Sequence, residues 1–254
     1  MSRPTRFEIN VDEEFPRLEH APIVEAVIQF NAPQTKPLEP GELKNALQPK
    51  LDAVKITDQM QLEAGISGSP TSMELRHRSL WDGLRITSEH GKHICQWKRN
   101  SLIFSRLAPY ENWESFMEGA LPYWDAYREI HAPEVIESIG VRFISQIELT
   151  ANQKVSDFVA KIPPPLKGLG LRSDSFFHQD SIPVPGQPYE IRLIRTMQRT
   201  ADEDGPKSIL VVDIDVSTTA AIMFNELGRT LKEIRFLKNK VFFAYMRDAE
   251  NKFR

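Results

Sequence analysis

Cysteine is almost absent. Cys95 is the only one in 254 residues, so no internal disulfide can form and nothing requires an oxidising compartment. Long apolar runs are missing as well: no stretch reaches the roughly 18 residues of a membrane-crossing helix. The opening MSRPTRFEINVDEEF is charged throughout and has no apolar centre of a secretory signal. Twelve glycines stand against eighteen prolines, which suits stiff loops more than disorder, and no low-complexity segment stands out. The expected setting is cytoplasmic, away from membranes. A net charge of -3 argues against a general polyanion binder, although a local basic face remains open.

Catalytic signatures are missing too. There is no Walker A loop and no G-x-G-x-x-G; the Gly168-Leu-Gly170 pair follows a proline run rather than a strand entering a helix. G-x-S-x-G does not occur, and the GISG stretch from Gly65 lacks the strand-to-helix turn of a nucleophile elbow. Cys95, between Ile94 and Trp97, reads as a buried small hydrophobe. His90, His93 and Cys95 straddle an expected hairpin turn, where their side chains need not converge on a metal. Asp213 and Asp215 share one strand face, but Val212, Ile214 and Val216 on the other mark a half-buried strand with aspartates toward solvent. Neither a metal nor a cofactor is expected, and no catalytic residue can be named.

What is present is a repeated order of elements. After a polar arm (1–17), with a short strand expected at 6–11, the alternation in 22–30 predicts a strand. Its one face carries Val24, Ala26, Ile28 and Phe30, the other Glu25, Val27 and Gln29. A helix is expected over 41–53, limited by Pro49. Strands follow at 60–65, 73–77, 84–90 and 94–107, then a helix at 112–130 with Trp113, Phe116, Leu121, Trp124 and Tyr127 along one stripe. These aromatics at helical spacing read as core. The second half begins with a strand at 136–149, followed by a short helix at 155–161, strands at 173–179, 189–200 and 208–217, and a helix at 222–251.

Each half (18–134 and 135–254) therefore reads strand, helix, antiparallel meander, helix. Duplication and a chance repeat of common α+β order both account for this. The expected fold is α+β: a curved antiparallel sheet with long helices on one side, similar in outline to the TATA-binding protein, in one compact unit.

Two surfaces are candidates for function. If the leading strands are neighbours, Glu25 and Gln29 make one polar row with Arg142, Gln146 and Glu148, with Glu25 or Glu148 available to pair with Arg142. A central strand carries an arginine when its face is solvated, paired or bound to something, and an unpaired one would favour an anionic group. The last stretch, Arg229–Arg254, holds eight Lys/Arg against three Asp/Glu, and Lys232, Arg235 and Lys238 could present a partner or nucleic-acid surface. The apolar stripe of this helix can serve its own core or a second subunit, so a homodimer is also open.

Two blocks carry a resemblance. LEHAPIVEAVI (18–28) and the run from SRLAPYENW (105–113) to IGVRFISQI (139–147) are similar to a sporadically distributed set of prokaryotic proteins of about this length with no assigned activity. Arg142 fits that pattern, while Ser145 stands where asparagine is expected. The resemblance implies a patchily inherited accessory role, such as defence or a mobile element, and supplies no site residues. The leading expectation is a non-catalytic protein that binds another protein. The alternatives are an enzyme or sensor taking an anionic small molecule or nucleotide on the sheet face, and a nucleic-acid contact through the last helix.

Overall fold

The computed structural model describes residues 6–51, 54–69, 72–150, 152–160, 175–202 and 205–254; for 62–69, 72–78, 200–202 and 205–206 only the backbone is described. In chain order the first half holds β1 (Ile23–Asn31), α1 (Pro40–Leu47), β2 (Val54–Ser69), β3 (Ser72–Ser88), β4 (His93–Lys98), β5 (Ser101–Leu107) and α2 (Trp113–His131). The second holds β6 (Ser138–Leu149), α3 (Val155–Phe158), β7 (Phe176–Pro183), β8 (Tyr189–Asp202), β9 (Gly205–Thr218), α4 (Leu227–Tyr245) and α5 (Ala249–Lys252). The strands form a single antiparallel sheet in the order β2-β3-β4-β5-β1-β6-β9-β8-β7. Outward from the central β1/β6 pair, each half places the last strand of its meander beside its own leading strand.

The long helices α2 and α4 cover one face. There Ala26, Ile28 and Phe30 of β1 meet Val141 and Phe143 of β6 and Val212 and Ile214 of β9, all buried. Trp124 of α2 stacks on Phe30 with ring centroids 4.3 Å apart, so the aromatic stripe is core as its spacing suggests. Asn112 caps α2 by accepting the Ser115 N–H at 2.8 Å, and Ala132 closes it in the left-handed conformation (φ 45°). A buried polar clip ties α2 to the sheet. Trp97 Nε1 donates to His131 Nε2 at 2.8 Å, which leaves Nδ1–H to donate to Lys36 O at 2.9 Å. Burial holds His131 below the usual histidine range, in keeping with a neutral ring that accepts on one side.

Several expected boundaries shift for local reasons. A β-bulge between Ile23 and Glu25 turns Ile23, rather than Val24, into the core. The strands expected at 60–65, 73–77 and 84–90 belong to one long β2/β3 hairpin. Asp82-Gly83, a pair of the kind that usually marks a turn, is a bulge within it; Gly83 has φ 148°, and a Cβ there would lie 2.1 Å from Trp97 O. The strand expected at 94–107 is broken by a turn at Arg99 and Asn100 into β4 and β5. Helix α1 stops at Leu47, before Pro49, and α4 stops at Tyr245, after which Met246 is extended and Asp248 left-handed.

The polar arm is not free, and it forms no strand at 6–11. Phe7 N–H donates to Pro185 O at 2.8 Å, Phe15 stacks on Phe243 at 5.6 Å, and Lys240 reaches Glu13 at 2.7 Å. Its spaced Phe7, Ile9, Phe15 and Leu18 pack on the core while the charges between them face out. The proline run at 163–165 and the KGLGLR loop lie outside the described residues.

Candidate functional site

The face opposite the helices carries a hollow of about 570 Å³ above the central strands. Because side chains alternate across a strand, the residues skipped by the core line it. Cross-strand pairing sets them in rows: Val27 lies beside Arg142, Arg142 beside Asp215, and Asp215 beside Arg192. One register step away, Ile144 and Ile194 flank Asp213. The walls come from β4, β5, β1, β6, β9 and β8, from Gln96 to Arg192.

The arginines of this hollow are paired internally. Arg142 lays its guanidinium over Asp213, with Nε 2.9 and 3.0 Å from the two carboxylate oxygens and Nη2 2.5 Å from Oδ2. Asp213 is 4% exposed beneath it. This pair also holds Arg142 firmly protonated. Arg192 stands 3.7 Å from Asp215, whose carboxyl is pushed up by burial and partly drawn back by Arg192 and Arg142. Two arginines thus face three carboxylates, Glu25, Asp213 and Asp215. Beside them Gln29 donates to Asn31 at 2.6 Å and Asn31 to Ser138 at 2.6 Å, a chain of amides along the floor. Half-buried Val27 and Ile103 line the hollow, and half-buried Ile144 and Ile194 continue the same face beside Asp213.

Of the row expected from sequence, Glu25, Gln29 and Arg142 line the hollow, whereas Gln146 and Glu148 lie farther along β6, opposite Val211 and Ile209. Arg142 pairs with Asp213, not with Glu25 or Glu148. The aspartates expected toward solvent are on the expected face, but Asp213 is buried there because an arginine and two isoleucines close over it.

The expected basic helix surface divides. Lys232 is exposed. Arg235 is held by Glu114 at 2.8 Å, with its guanidinium 5.9 Å from the Trp113 ring centroid. Lys238 turns inward, its amine 4.2 Å from the Phe143 ring centroid, into a separate pocket of about 280 Å³ on the helix side of the sheet. The α4 stripe, with Leu231, Ile234, Leu237 and Phe242 buried, serves the protein's own core. Lys238 occupies the stripe position between Ile234 and Val241, a spacing signal that its inward direction could have been read from.

The other reactive groups are structural in setting. Cys95 is fully buried and its thiol is pushed up by burial. His93 has its Nε2 2.5 Å from Arg106 Nη1, and burial together with that guanidinium lowers it to about 4. Among the described residues no three histidine, cysteine or acidic side chains gather as a metal site, and no helix is long and apolar enough to cross a membrane. Comparisons with family models, with curated proteins and with solved structures returned no match.

Proposed function

We propose that the protein is a non-catalytic binding protein whose open sheet face receives a polypeptide partner. The observation that carries this reading is the breadth of the hollow, together with arginines that are already paired. It spans six strands, roughly 24 Å at the usual strand spacing, which suits a chain or a protein surface better than a metabolite. Apolar β-branched residues lie in its middle and amides and paired charges around them, as in the patches that proteins offer one another. Arg142 already holds Asp213, so an anion would have to compete with a bidentate carboxylate, which disfavours the small-anion reading at this face. Nucleic-acid binding through α4 is disfavoured by the pairing of Arg235 and the inward turn of Lys238.

The mirrored strand order about β1 and β6 supports two halves related by duplication, with a saddle-like outline similar to the TATA-binding protein. A cytoplasmic prokaryotic accessory role, in defence or on a mobile element, is the setting implied by the resemblance of 18–28 and 105–147.

The test is native mass spectrometry of the protein purified gently from its own host. A polypeptide should accompany the wild type, be lost from Ile144→Arg and be kept by Lys232→Glu. A wild type that carries no polypeptide, or a partner that survives Ile144→Arg and leaves with Lys232→Glu, would refute the reading.

A further inference from the structure

The pocket on the helix side holds a charge with no acidic partner among the described residues. Its floor is β6, where Phe143 and Ser145 are 2% exposed, and its walls come from the loop before α2, the N-terminal arm and α4. Tyr110 meets Phe143 edge-on at 5.4 Å, and Trp113 lies nearly parallel to Phe143 at 6.4 Å, so the walls are flat and aromatic. Its 280 Å³ corresponds to about nine waters at roughly 30 Å³ each, room for one small organic molecule.

Every other charged group facing this space is either paired or at its rim. Arg235 of α4 pairs with Glu114 of α2, and Glu111 with Arg106 of β5. Arg17 of the arm is exposed. Tyr110 is kept as a neutral phenol by burial. Lys238 alone has only a ring face for its amine, and no carboxylate among the described residues counters its charge. A ring face attracts a cation but satisfies none of its three hydrogen-bond donors. An amine so placed is costly to the fold, and such groups cluster where a ligand completes them.

We propose that this pocket binds a small organic anion with a flat apolar body, its carboxylate or equivalent acid group pairing with Lys238 while its body lies among Tyr110, Trp113 and Phe143. This site is independent of the sheet face and on its opposite side. Burial and the nearby Arg235 lower the Lys238 amine to about 7. An anion bound beside it restores the charged form, so binding above neutral pH takes up a proton. Neutral molecules of the same shape gain the aromatic contacts and nothing from the lysine.

The experiment is calorimetric titration of the full chain with 1-naphthoate and with neutral 1-naphthalenemethanol. Each is run in two buffers of different ionisation heat, at about pH 6 and about pH 8. The acid is expected to bind about tenfold more tightly than the alcohol. It should take up close to one proton per site at about pH 8 and almost none at about pH 6. Lys238→Met should erase the preference and retain the alcohol. Equal affinity for the two probes, no binding of either, or naphthoate binding without proton uptake at about pH 8 overturns the proposal. All three outcomes are read on the wild type, so they stand whatever the fate of the variant.

Discussion

The hollow and the pocket lie on opposite faces of the same strand. Arg142 of β6 points into the first, Phe143 and Ser145 into the second. In the hollow the arginines are answered by carboxylates of the same sheet, so the surface can meet a partner without stranding a cation. In the pocket a lysine stands over a phenylalanine with no acid among the described residues to answer it. Adjacent residues of one strand therefore serve two chemistries. A surface whose cations are already paired suits a broad, mixed contact, whereas an unanswered cation calls for a specific anion.

Substitutions along β6 and α4 can separate the two. The largest effect is expected for Phe143→Ala, which removes a buried ring shared by Tyr110, Trp113 and Phe116. It should cost about 3–5 kcal/mol in denaturant unfolding. Its half-buried neighbour Ile144→Ala should cost about 1 kcal/mol or less, so equal losses would deny that the two faces differ. Arg142→Met leaves Asp213 buried without its partner. That should cost about 2 kcal/mol, between the exposed and the buried ion-pair cases, and calorimetric Tm values would show it.

Lys238→Met runs the other way. The native amine sits near 7 against an ordinary value of 10.5, so the unfolded chain holds the proton more tightly and wild-type stability rises with pH between those values. The variant should be more stable than the wild type by about 1–2 kcal/mol near pH 7, and the gain should shrink toward pH 10.5. A destabilised variant would mean that Lys238 is completed within the fold.

The smallest effect is expected at Asp215. Its carboxyl is raised above 3.8 by burial, so the native state holds the proton more tightly and stability falls as pH rises from 3.8 through the folded value. Asp215→Asn should remove that acid-range slope and change Tm near neutrality by about 2 °C or less, measured by a pH series of thermal melts.

The architecture was largely legible because alternation and helical spacing reflect burial directly. Ala26, Ile28 and Phe30 were placed by pattern, and Trp124 and Tyr127 by theirs. Glycine and proline differ as punctuation: Gly83, in a pair that usually marks a turn, makes a bulge instead, whereas Pro49 limits α1 as expected. The site was only half legible. Arg142 stood out as a charge on a central strand, but its partner lies 71 residues away on β9 and depends on register, which no local pattern encodes. The charge of Lys238 suggests an outward base, although its place in the α4 stripe points inward.

The most direct test is site-specific photocrosslinking in the host cell, with benzoylphenylalanine replacing Gln29 or Arg192 on the open face and Lys232 or Glu118 on the helix side. Adducts to one polypeptide from Gln29 and Arg192, with none from Lys232 or Glu118, are the expected result. Adducts from Lys232 or Glu118 alone would contradict the account and move the partner to the helices.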